Sequence, residues 1–160
     1  MRAWVIAVAV LLVSAPSWAD EWVAYKSKAG GVAVTFPGNP TEQTQEANGN
    51  MLHMAAYSSV SGDVKFALLW TDLGPNAPKK STKQMFDEAQ GPFAQRAKIV
   101  SAKDTTYRGL PARELDLLSS DNKEAVKLRM VIKTSRVFLV AATVVVPADA
   151  KKFIDSLRID

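Results

Sequence analysis

Three observations predict an α+β fold built on an antiparallel β-sheet flanked by helices on both faces. Residues 136–146, Arg-Val-Phe-Leu-Val-Ala-Ala-Thr-Val-Val-Val, are β-branched and apolar on both alternating faces. A strand can carry such a run only in the middle of a sheet that is covered on two sides. The strands before it are punctuated by tight turns at Arg108-Gly109, Asp121-Asn122 and Thr134-Ser135, the pattern of an antiparallel meander. Two further stretches, beginning at Ser81 and at Pro147, place apolar residues at helical spacing.

Taken in order, Arg2, the apolar run 3–13 and Pro16-Ser17-Trp18-Ala19 read as a signal peptide. The apolar run is well short of the roughly 20 residues a membrane span needs. Cleavage after Ala19 would leave residues 20–160 as a single domain, periplasmic or secreted. Trp22 to Tyr25 is a short extended segment. Gly30-Gly31 then releases the chain into a strand over 32–36, which Pro37-Gly38 breaks. Asn48-Gly49 predicts a two-residue hairpin pairing 41–47 with 50–59, with Gln45 opposite Leu52 and Gln43 opposite Met54. The first of these strands is polar on both faces, as suits a sheet edge.

Ser61-Gly62-Asp63 turns into a strand over 64–71 whose Phe66, Leu68 and Trp70 share a face. Residues 72–80 hold Gly74, Pro75 and Pro78 and read as a loop. Ser81 with Gln84 is a capping box for a helix burying Met85, Phe86 and Ala89. Gly91-Pro92 predicts an interruption, with Phe93, Ala94 and Ala97 in a final turn. Strands over 99–107, 112–118 and 125–133 lead into the central strand. Pro147 opens a closing helix whose stripe is Ala150, Phe153, Ile154 and Leu157, with Lys151 and Lys152 facing water.

The chain has no cysteine, so it has no disulfide and no thiolate metal site, and its stability must come from its core. A net charge of +4 is too small to argue for nucleic acid. Lys127, Arg129 and Lys133 form a basic row on one strand face. It reads either as a partner site or as a solvated face neutralised by Glu114 opposite Arg129 and Asp116 opposite Lys127. Lys79, Lys80 and Lys83 flank the 72–80 loop, which is either a binding loop or a plain connection. His53 is the only histidine, and no nucleophile elbow, metal motif or phosphate loop accompanies it. Asp87-Glu88 and the pair Glu114 and Asp116 read as surface carboxylates. Trp22, Tyr25, Phe36 and Trp70 read as core aromatics in preference to a ligand pocket.

Two segments carry a resemblance. Tyr25-Lys-Ser-Lys-Ala-Gly-Gly-Val-Ala-Val-Thr-Phe-Pro-Gly-Asn-Pro-Thr-Glu-Gln resembles the opening of small exported bacterial domains with the PsbP/Mog-like fold, the DcrB/PsbP-like family. Gly109-Leu-Pro-Ala-Arg-Glu-Leu, the run 129–146 and Asp149-Ala-Lys-Lys-Phe-Ile-Asp-Ser-Leu resemble their second half. The resemblance implies an α/β/α sandwich and a mostly non-enzymatic setting: an accessory protein of photosystem II, binders of a small GTPase, and chaperones sheltering hydrophobic segments. It carries over no functional residue, and the lipobox cysteine of the lipoprotein members is missing.

The expectation is therefore a non-catalytic periplasmic accessory or protein-binding module. It would have no cofactor and no metal, an unknown protein partner, no nucleic acid, no stable membrane anchor and a monomeric state. Partner-binding candidates are Lys79, Lys80, Lys83, Lys127 and Arg129. The alternative is a carrier or chaperone sheltering an apolar ligand or hydrophobic segment on one sheet face. It requires an open apolar patch that includes Leu69, Val131 or Phe138.

Overall fold

A computed structural model describes residues 21–47 and 49–160; the expected signal peptide lies outside the described residues. The described chain is α+β: a seven-stranded antiparallel sheet, a three-stranded sheet and two helices. The strands are β1 (Val23–Ser27), β2 (Val32–Phe36), β3 (Thr41–Ala47), β4 (Asn50–Ser58), β5 (Lys65–Asp72), β6 (Ala97–Tyr107), β7 (Leu110–Ser119), β8 (Ala125–Lys133), β9 (Arg136–Thr143) and β10 (Arg158–Ile159). The helices are α1 (Thr82–Ala94) and α2 (Pro147–Asp155). The large sheet has the order β3-β4-β5-β9-β8-β7-β6 and the small one β1-β2-β10.

β9 is the central strand of seven, as its two-sided apolar sequence requires, and Val137 to Val140 are all buried. It ends at Thr143, three residues short of the expected boundary. The reason is the start of α2: the Val146 carbonyl accepts from the N–H groups of Asp149 and Ala150. That role takes Val145 and Val146 out of the ladder and leaves them exposed. β3 and β4 pair in the expected register, with Gln45 opposite Leu52 and Gln43 opposite Met54.

The core has two parts, one on each side of the large sheet. On the first side, Phe66, Leu68 and Trp70 of β5 and Phe138, Val140 and Ala142 of β9 pack against β2 and α2. Phe153 of α2 sits with its ring centroid 4.9 Å from Phe36 and 5.0 Å from Phe66. Burying each such ring contributes about 1.5–3 kcal/mol, so this cluster fastens the small sheet and α2 onto the large one. Ser156 ends α2 by donating from Oγ to the Phe153 carbonyl while accepting from the Thr35 N–H of β2.

On the second side, Met85 and Phe86 of α1 cover Leu115, Leu117, Leu128, Met130, Ile132 and Leu139. The capping box is formed: the Ser81 hydroxyl accepts from the Gln84 N–H and the Gln84 side chain accepts from the Ser81 N–H. The interruption expected at Gly91-Pro92 does not occur, because α1 runs through to Ala94. Pro92 stands in the last turn, where little helix remains to be broken. Ala97 opens β6 instead of belonging to a final helical turn. The 72–80 segment contains a short 3-10 turn over Ala77–Lys79, and Ala77 is buried in the second core.

Candidate functional site

Side-chain rows cross the large sheet on the α1 side. One runs Gln43, Met54, Leu69, Leu139, Met130, Arg113, Asp104, and the next runs Thr41, Ala56, Ala67, Ala141, Leu128, Leu115, Ala102. At the β7–β9 end these rows are buried beneath α1. Toward β4 and β5 they emerge, and Leu52, Met54, Ala56, Ala67, Leu69 and Ala141 are each only half-buried. Where the rows meet the last turns of α1 they form an apolar groove of about 240 Å³, walled by Leu52, Leu69, Leu73, Ala89, Phe93 and Leu139. Of the three residues whose exposure would mark an open apolar face, Leu69 belongs to this patch, whereas Val131 and Phe138 are 0% and 2% exposed. One sheet face is thus closed at those positions and the other is open over part of its width.

The other side of the sheet is open over β6 to β8, where a groove of about 460 Å³ is lined by Lys103, Asp116, Lys127, Arg129, Lys151 and Asp155. Its charges are turned toward one another. Lys127 Nζ lies 2.7 Å from Asp116, whose other oxygen accepts the Ser101 hydroxyl at 2.7 Å. These two donors hold the Asp116 carboxyl below its ordinary range, Lys127 more strongly. Arg129 donates to Glu114 Oε1 from Nε at 3.1 Å and from Nη2 at 2.7 Å, and from Nη1 to Asp155 and to the Ile154 carbonyl. Its guanidinium also lies 4.2 Å from the centre of the Tyr107 ring. Burial pushes the Asp155 carboxyl up, but Lys151 and Arg129 together outweigh it and the net direction is down.

Lys79, Lys80 and Lys83 stand on the α1 side, across the sheet from Lys127 and Arg129, so the structure brings the five candidate residues together in two groups on opposite faces. Lys80 pairs with Glu88 at 2.6 Å and Lys83 with Asp87 at 2.7 Å. Lys133 does not join the Lys127 groove; its ammonium meets the Asp160 carbonyl at the end of the chain. His53 stacks on Trp70, with ring centroids 5.1 Å apart and 8° between planes, and its Nδ1 lies 3.4 Å from the Thr44 hydroxyl. Trp22, Tyr25, Phe36 and Trp70 all belong to the first core or pack against it. Among the described residues no buried side-chain nitrogen or oxygen lacks a hydrogen-bond partner, and no group of three or more acidic or histidine side chains is placed to hold a metal.

Arg113 is the residue that sequence reading missed. It is 5% exposed, donating from Nε to Asp104 at 2.5 Å, from Nη2 to the same carboxylate at 3.1 Å, and from Nη1 to Asp87 at 2.7 Å and Gln90 at 3.0 Å. Its guanidinium also lies over the Phe86 ring at 5.1 Å. It therefore ties α1 to β6 and β7. Arg113 holds the carboxyl of Asp104 well below the usual range, while Asp87 is lowered first by Lys83 and then by Arg113. The available signal was its place in the meander opposite Asp104 with helical acids upstream.

This layout, a wide antiparallel sheet with α2 and a small sheet on one side and α1 on the other, is an α+β architecture with the PsbP-like fold. The solution structure of cyanobacterial PsbP (CyanoP) from Synechocystis sp. PCC 6803 superposes with a TM-score of 0.60 at 8% identity, covering 94% of this chain and 99% of that one. A crystal structure of PA94 from Pseudomonas aeruginosa, a protein of unknown function, gives a TM-score of 0.43 at 10% identity over 81% of this chain and 86% of that one. No protein-family model matches the chain, and no curated protein matches it in sequence.

Proposed function

We propose that the chain is a non-catalytic accessory module that works by binding a protein partner, in the periplasm or after secretion. We further propose that the half-open apolar rows beside α1 receive that partner's side chains. The observation that carries this reading is the size of the groove: about 240 Å³ is below the roughly 300–1,000 Å³ of sites that enclose a small molecule. It suits one or two apolar side chains, each worth about 1.5–3 kcal/mol on burial. Asp72, Asp87, Asp104, Asp116, Asp121 and Asp155 are all lowered and so held ionised, whereas a general acid needs a raised value.

The carrier reading keeps one supporting observation, the half-exposure of Leu69 within a continuous apolar patch. A photo-crosslinking residue at Met54, with a second placed at Lys127 as control, separates the two. The expected result is a discrete protein adduct at Met54 in exported protein that disappears with Leu69→Gln and is missing at Lys127. Lipid or another small apolar molecule released from the intact protein, in place of a protein adduct, would transfer the function to the carrier. Adducts at Lys127 alone would remove the groove from consideration.

A further inference from the structure

The two outer strands of the large sheet are built differently. β6 carries a register irregularity between Ile99 and Ser101, an exposed Val100 at that point, and Lys98 and Lys103 along its length. These are devices that discourage an added strand. β3 has no such irregularity, and its only charges are Glu42 and Glu46. Its register with β4 is unbroken from Thr41 to Ala47, and the segment contains no lysine, arginine, proline or glycine. Because Ala47 faces Asn50 across a two-residue turn, the odd-numbered residues of β3 bond to β4. Glu42, Thr44 and Glu46 then turn their N–H and C=O groups outward. Among the described residues these outward groups have no hydrogen-bond partner.

The side chains of Glu42, Thr44 and Glu46 share one face, while Thr41, Gln43 and Gln45 continue the rows of Met54 and Leu69 on the other. A second copy of this chain is a poor occupant for the edge. In fully overlapped antiparallel pairing about Thr44, Glu42 of each copy would face Glu46 of the other, and like charges directly opposite are destabilising. The complementary occupant is an extended segment with a basic residue at two positions four apart, a polar residue midway, and apolar residues between them facing the groove side. We propose that β3 is a strand-addition site for such a basic, alternating segment of a partner protein. Backbone pairing supplies the affinity, and Glu42 and Glu46 select the charge.

The inference rests on reading the chain as a protein-binding module but uses a different element from the groove, so the two fail separately. The probe is the synthetic peptide Thr-Lys-Val-Thr-Val-Lys-Thr, acetylated and amidated, titrated into isotope-labelled full-length mature protein and followed by amide exchange. Protection is expected to appear at the amides of Glu42, Thr44 and Glu46 and to be lost with Thr44→Pro, which removes an outward donor and leaves the β4 ladder intact. The double variant Glu42→Lys/Glu46→Lys is expected to prefer the glutamate version of the peptide by at least about tenfold. Met54 crosslinking that fails while β3 protection persists would remove the groove and keep the edge. No protection at β3, equal binding by Thr44→Pro, no reversal of charge preference, or a dimer of the free protein abolished by Thr44→Pro would each overturn the proposal.

Discussion

Replacing Arg113 by methionine should cost less stability than replacing its partner Asp104 by alanine, although arginine makes the larger number of contacts. The side chain of Arg113 is 6% exposed, whereas those of Asp87 and Asp104 are 48% and 53% exposed. Arg113→Met therefore strands only carboxylates that water can reach, and the methionine stem keeps its packing on Phe86. Its cost should stay within about 1.5 kcal/mol, as when a buried ion-pair member is replaced by an apolar group of similar size. Asp104→Ala strands the buried cation, for which Asp87 and Gln90 remain as partial replacements. A loss of about 3 kcal/mol follows, the lower end for a broken buried pair. Urea denaturation of both variants measures the order, with unchanged slopes showing that the midpoint shift reports stability.

The pH dependence supplies a second reading of the same prediction. Asp104 has a depressed folded value, so the folded state binds fewer protons than the unfolded one just below the ordinary carboxylate range near about 3.9. Its contribution is present above that range and is lost as pH falls through the folded value. Arg113→Met should flatten this acid limb and Asp104→Ala should flatten it too. If Arg113→Met proves the costlier change, or leaves the acid limb as steep as before, the guanidinium is not the group whose desolvation governs this contact.

Three further outcomes are expected. Tyr107→Phe removes a hydroxyl that donates to the carbonyls of Asp155 and Leu157, each at 3.0 Å; it should cost about 1–2 kcal/mol by calorimetry and raise amide exchange at the end of α2. Thr134 is a β-branched residue at φ 57°, so Thr134→Gly should stabilise the β8–β9 turn by about 0.5–1 kcal/mol in urea denaturation. Gly30→Ala would place a methyl 2.8 Å from the Trp70 indole, and a loss of about 1–3 kcal/mol with altered Trp70 fluorescence is expected from that overpacking.

Register and layer order were legible in the sequence where a local rule determines them. A two-residue turn at Asn48-Gly49 leaves one way to pair its arms, and Gln43 consequently faces Met54. The position of β9 followed from its having no polar face. What alternation cannot show is how far each face is covered. Leu68 and Leu69 are equivalent in sequence, yet Leu68 is buried by α2 and the small sheet while Leu69 lies in the patch that α1 leaves half open. That difference depends on where α1 lands, which is a tertiary matter. β10 was missed for a simpler reason, since Arg158–Ile159 is too short to carry any periodicity. Arg113 was missed because arginine in a strand ordinarily reads as solvent-facing, and only the fold brings Asp87 and Gln90 above it.

The two uncovered halves of the sheet lie on opposite faces and differ in chemistry. The half over β6 to β8 is charged but satisfied: Lys127 with Asp116, Arg129 with Glu114 and Asp155, and Lys151 with Asp155. An incoming anion would have to displace carboxylates already at hydrogen-bond distance, so it would gain little over the contacts it breaks. The half over β4 and β5 has no such internal partners, because Leu52, Met54 and Leu69 gain only by excluding water. Beside it runs β3, with outward backbone groups and a regular ladder. A partner that lays a strand on that edge would pair beside Thr41, Gln43 and Gln45, which separate it from the apolar residues of β4 and β5. On the proposed reading the partner is therefore expected on the β3–β5 half of the molecule, while Arg129 ties α2 to the sheet through Asp155 and the Ile154 carbonyl and Lys127 pairs with Asp116 of β7.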